Sequence, residues 1–189
     1  MKAAAGKYWL VFKTELKNRI AEKFDFLLHL AYLPLAALIV YFVWSIVFQN
    51  TKTVHGFSFN DMIAYAMTAL LVRRISQNAW VASTLEKDIV EGKIITFLCR
   101  PLNYKAYNLA QRLGWNFVLA LVIVPLIIII AFAFNQNITA LHFLLGLLLL
   151  SMAVVFTFLE FYCIGLLAFW FERVWGFKHA ADWIQEILS

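Results

Sequence analysis

Charge is scarce in this chain. Only 14% of its residues are Asp, Glu, Lys or Arg, where soluble domains carry about a quarter. A soluble domain of 189 residues must clothe its surface in polar side chains, because a single core buries only part of the chain. At 63% hydrophobic, this sequence has too few of them. The surplus apolar surface requires a second apolar solvent, and a bilayer supplies one. Cysteine is equally scarce. Cys99 and Cys163 are the whole complement, which excludes a disulfide framework or a thiolate metal cluster. No zinc-ligand spacing and no serine-nucleophile elbow occurs. The phosphate-binding pattern G-x-x-x-x-G-K-[ST] is missing too; Gly92-Lys93 lacks both the upstream glycine and the following hydroxyl residue. No catalytic residue, metal site or bound cofactor is therefore expected. Nor is a cleavable signal peptide. The first apolar run begins at Phe26, behind a charged stretch; it is too long for a signal core and has no small-residue cleavage site.

What is present is a succession of long apolar runs. They predict an all-α fold, a polytopic transmembrane helix bundle forming one domain. Phe26–Phe48 holds no Asp, Glu, Lys or Arg. As a helix it would extend ~34 Å at about 1.5 Å per residue, enough to cross a hydrocarbon core of roughly 30 Å. His29 lies near one end of it, and Pro34 inside it is tolerated in a membrane helix. Further spans are predicted at 61–85, 108–134 and 141–171. The second is the most polar, carrying Arg73, Arg74, Gln77 and Asn78. Its lower half is expected to face protein or water, with the arginines at the boundary or snorkelling to it. Ahead of the first span, residues 8–25 place Trp9, Phe12, Leu16, Ile20 and Phe24 at helical spacing, opposite a basic face. That pattern predicts a helix lying in the membrane interface. Asn137-Ile138-Thr139, in the turn between the last two spans, matches a glycosylation acceptor, a pattern common by chance.

The net charge of +5 is a matter of topology, and no nucleic-acid partner is expected. Fifteen of the sixteen Lys and Arg fall before the first span, between the second and third, or after the fourth; Lys52 is the exception. Segments rich in Lys and Arg stay cytoplasmic. The N-terminus, the central loop and the tail are therefore expected inside, in a multi-pass plasma-membrane protein.

The central loop is the most informative stretch. Val90, Ile94, Phe97 and Leu98 share one face of a helix predicted over 86–100. Glu86, Lys87, Asp88 and Glu91 crowd its start, and Arg100-Pro101 ends it. Periodicity alone fits two roles equally: lying on the membrane, or fitting a groove on a partner. Within span four, Glu160 is the one acidic residue well inside an apolar run. Such a group is a functional-site candidate, together with Arg73 and Arg74. Its plainer reading is a position near the watery end of a long tilted helix.

The loop residues Ile89, Gly92, Leu98, Arg100, Pro101 and Tyr104 match I-x-x-G…L-x-R-P-x-x-Y. With Ala110 to Gly114, Ala168 to Glu172 and Trp175-Gly176, the chain resembles the permeases of bacterial type-2 ABC exporters. The resemblance implies a coupling helix made of Glu86, Asp88, Ile89, Val90, Glu91, Gly92, Ile94, Phe97, Leu98 and Arg100. It implies a second permease subunit, a cytoplasmic ABC ATPase that binds the ATP, and export across the bacterial inner membrane. It also implies six spans, so that a chain with four is expected to stop short of the last two. A structural or assembly protein and a membrane-integral enzyme are the competing readings. An enzyme would need facing polar groups at one depth, and the sequence offers Glu160, His29 and the Arg73–Asn78 patch.

Overall fold

The computed structural model describes residues 2–21, 23–99, 102–134, 139–171 and 173–188. It is all-α apart from one two-stranded hairpin. The helices are α1 (Lys2–Ala21), α2 (Lys23–Val47), α3 (Phe59–Ser76), α4 (Ala79–Val90), α5 (Lys93–Leu98), α6 (Tyr104–Ala133), α7 (Ala140–Leu166) and α8 (Trp175–Leu188). A short 3-10 turn, Leu167–Phe169, follows α7, so the helix predicted to run to 171 tightens and stops earlier. Asn137 and Ile138 of the glycosylation pattern, and Arg100 of the loop, lie outside the described residues.

The first loop is more ordered than its polarity suggested. Strands β1 (Thr53–Val54) and β2 (Phe57–Ser58) pair antiparallel around His55-Gly56. Both turn residues have positive φ, 50° and 87°, the requirement of a tight two-residue hairpin turn. Ser58 then caps α3. Its hydroxyl accepts from the Asp61 amide, and the Asp61 carboxylate accepts in return from the Ser58 backbone N–H at 3.0 Å. This reciprocal cap starts α3 at Phe59, before the predicted Asp61.

Among the described residues two helices, α6 and α7 with its following turn, are long and apolar enough to cross a bilayer, and α2 is apolar over Ala31–Val47. Their outward faces are bare hydrocarbon. Ile129, Phe132, Leu144, Leu149 and Phe156 are all more than 60% exposed, a surface that suits lipid and not water. Inside, Leu33, Leu71, Ile75, Leu119, Ile123 and Val154 form one core cluster between α2, α3, α6 and α7. Val81, Ala82, Phe158 and Phe161 form a second between α4 and α7. The α4–α7 crossing is tight because Gly165 permits it: a Cβ there would lie 2.9 Å from Leu85 Cβ and 3.1 Å from Ala82 Cα.

The helix predicted over 8–25 is α1, which begins earlier and ends at Ala21. Its protein-facing side differs from the expected apolar stripe. Trp9 is 57% exposed, whereas Glu15 is buried at 6%. Glu15 holds Arg19 at 2.8 Å and accepts from the Gln111 amide of α6 at 3.3 Å. Phe12 meets Phe117 edge-on, and Arg19 lies over the Trp115 ring at 4.5 Å. A polar seam thus docks α1 on the first turns of α6.

Candidate functional site

The second span, predicted as one helix over 61–85, is broken. α3 ends at Ser76 and α4 begins at Ala79. A break frees backbone carbonyls, and in a membrane these must find partners inside the protein. Asn78, fully buried, supplies several of them. Its amide donates to the Ser76 carbonyl at 3.0 Å, to Val154 O of α7 at 3.1 Å and to Thr157 Oγ1 at 2.6 Å. The Thr157 hydroxyl lies 2.7 Å from the same Ser76 carbonyl and can donate to it. Arg112 of α6 completes the latch by donating from Nε to Asn78 Oδ1 and from its terminal nitrogen to the Gln77 carbonyl. Three elements are therefore tied at one point of broken backbone.

Three open cavities meet at Gln77. One of about 380 Å³ lies between α1, the break and α6 and includes Arg19, Arg74 and Arg112. One of about 420 Å³ is lined by Arg73, Arg74, Asp182 and Glu186. The third, about 460 Å³, includes Thr157, Glu160 and Gln185. The predicted polar residues Arg73, Arg74 and Glu160 are thus neighbours of the break. Arg73 lies 3.6 Å from Glu186, an exposed pair of little energetic weight. Glu160 is half-buried and accepts from the Gln185 amide of α8 at 2.6 Å.

At the far end of α4 the chain folds into a tip. The single helix predicted over 86–100 is two. Glu86, Asp88, Ile89 and Val90 end α4, Glu91 and Gly92 turn the chain, and Ile94, Phe97 and Leu98 belong to α5. Gly92 makes the turn at φ +71°, the left-handed region where side chains are strained. The break divides the stripe expected on one face. Phe97 packs inward on Tyr104 and Tyr107 of α6, with ring centroids 5.0 and 5.1 Å apart. Val90 points out, 62% exposed, and is matched by Ile95 at 62%, a residue the periodicity had not selected. Asp88 accepts from the Tyr104 hydroxyl at 2.7 Å, which fixes the base of the tip to α6. Glu91 meets Lys93 at 2.5 Å across Gly92. The hydrogen bond from Lys93 holds the Glu91 carboxyl below its usual range, and Glu91 holds the Lys93 ammonium above its own.

The tip therefore sets two exposed apolar side chains, Val90 and Ile95, beside the Glu91–Lys93 pair. Residues 35–188 match the family model described as ABC-2 family transporter protein. The chain belongs to the ABC-2 transporter family. Comparison with curated proteins and with solved structures gave no match. As an ABC-2 protein the chain is a membrane permease, a component of an ABC transporter, and membership implies an ATPase partner. The matched region covers the broken helix, the tip and both long apolar helices. Among the residues of the latch, Thr157 and Arg112 were not selected from sequence, and Asn78 entered only as one end of the Arg73–Asn78 patch. The available signal was the polar run Arg73 to Asn78, interrupted only by Ile75.

Proposed function

We propose that this ABC-2 permease is of the exporter type with the I-x-x-G…L-x-R-P-x-x-Y loop, and that the α4–α5 tip is its docking element for a cytoplasmic ATPase. In this reading four spans cross the bacterial inner membrane with the N-terminus inside, a second permease subunit completes the pathway, and substrate moves outward. The observation that carries it is the tip: Val90 and Ile95 exposed beside the Glu91–Lys93 pair, on a base clamped by Asp88, Tyr104 and Phe97. Two apolar knobs flanked by fixed charge suit a groove on a soluble partner. The clamp matters because a docking element transmits motion only if it moves with its span; contact that is alike in both states would couple nothing. ATP closing the partner would drag the tip, and α4 would carry the displacement to the break at Gln77-Asn78.

The test is affinity purification of the tagged chain from membranes of its own host. Mass spectrometry should recover a chain bearing G-x-x-x-x-G-K-[ST], and Val90→Asp with Ile95→Asp should remove it while the permease level stays constant. Recovery unaffected by both substitutions would refute docking through the tip. Glu160 is tested separately. Export unchanged in Glu160→Gln at equal expression would dismiss a transport role for it.

A further inference from the structure

The cavity between α1, the break and α6 has a charge imbalance that docking leaves unused. Arg19, Arg74 and Arg112 line it against one carboxylate, Glu15. That carboxylate is already engaged by Arg19 and Gln111. Arg112 is turned to Asn78 and Gln77. Arg74 is different. Its Nη1 reaches only the Gln77 side-chain oxygen, at 3.4 Å, and its Nε is buried with no partner among the described residues. A guanidinium carries five donors in a planar fork, and a buried donor left unmet is unfavourable. Trp80 and Trp115 give the cavity an apolar side. Its depth along α6 is also informative. Gln111, Arg112 and Trp115 precede the dense apolar run that starts at Phe117, so the cavity sits at the headgroup end of that helix.

We propose that this cavity binds the phosphate of an anionic phospho-compound, with the Arg74 fork as its principal donor and Arg19 and Arg112 supplying field. Arginine matches phosphate oxygens with two parallel hydrogen bonds, and such charge-assisted bonds are the strong ones. A lipid headgroup and a soluble phosphate ester present the same group. The proposal is independent of the docking tip.

The full chain is reconstituted in nanodiscs of phosphatidylcholine with or without phosphatidylglycerol, and retained lipid is counted by native mass spectrometry after transfer to detergent. Glycerol 3-phosphate is titrated separately against tryptophan fluorescence. Retention of phosphatidylglycerol over phosphatidylcholine, about tenfold weaker in Arg74→Gln, supports a lipid headgroup. Binding of glycerol 3-phosphate alone, with the same dependence on Arg74, supports a soluble ester. Arg173→Gln, at an exposed site away from the cavity, should leave either signal unchanged. Arg74→Lys keeps the charge without the fork and should bind measurably less; it replaces Arg74→Gln if that variant does not fold. The proposal is overturned if phosphatidylglycerol is not retained over phosphatidylcholine and glycerol 3-phosphate does not bind either, or if the Arg74 variant that folds binds as the native chain does.

Discussion

Asn78 holds together backbone that two helices leave open, and Arg112 holds Asn78. Replacing Arg112 by Leu would strand Asn78 Oδ1 and the Gln77 carbonyl in a buried site. Each stranded group costs about 1–3 kcal/mol, so a clear drop in the thermal midpoint in detergent is the expected outcome. A midpoint equal to that of the native chain would mean that the latch contributes nothing. Asn116 predicts the opposite sign. It is 5% exposed, and neither amide atom has a partner among the described residues. An apolar residue of similar shape removes that penalty, so Asn116→Leu should leave the midpoint unchanged or raise it. A large loss on the same melt would mean that the amide is satisfied by a group still to be found. Little of this was legible in sequence. Arg112 stands out there only as one cation in a basic loop. Its partner is 34 residues away, and no local spacing encodes a contact between the start of one span and the middle of another.

At the scale of elements, the apolar runs announced α2, α6 and α7, because a bilayer imposes a length that composition alone reveals. The two breaks stayed hidden for different reasons. The one at Gln77-Asn78 is stabilised by tertiary hydrogen bonds from α6 and α7, and helical periodicity carries no trace of those. The one at Gly92 was written in the sequence as a glycine, yet the apolar stripe on both sides read as one continuous helix. It follows that Gly92→Ala must hold a strained left-handed residue, at a cost of about 1–2 kcal/mol. Co-purification of the ATPase should fall in Gly92→Ala while the chain still inserts; full recovery would show that the turn is dispensable. Across the same turn, Glu91 has a lowered pKa, caused first by the hydrogen bond from Lys93. A depressed carboxyl pKa keeps its contribution above the ordinary value and loses it only as pH falls through the lower one. Docking should therefore be constant from about pH 8 to pH 5, above the usual carboxylate range. A loss of complex within that window would remove Glu91 as the responsible charge.

At the scale of the whole molecule, the exposed faces of α6 and α7 and the family match describe a permease that lives in lipid. The polar interior is gathered at one level, where the break, three cavities and the docked α1 meet, and the tip extends from that level on α4. Charge counting supplied the expected orientation, since the central loop carrying the tip holds most of the cations between spans. Under the proposed docking, the end of the bundle that carries the tip would meet the ATPase, and the opposite end, with the β-hairpin, would face away from it.

The most direct measurement uses a chain with Cys99 and Cys163 replaced and one new thiol, Ile95→Cys, in inside-out and right-side-out vesicles. The account predicts that an impermeant maleimide labels this thiol only in inside-out vesicles, and that a short bifunctional reagent joins it there to a chain bearing G-x-x-x-x-G-K-[ST]. Labelling from the outer face, or a thiol that reacts inside yet never joins an ATPase, would contradict it.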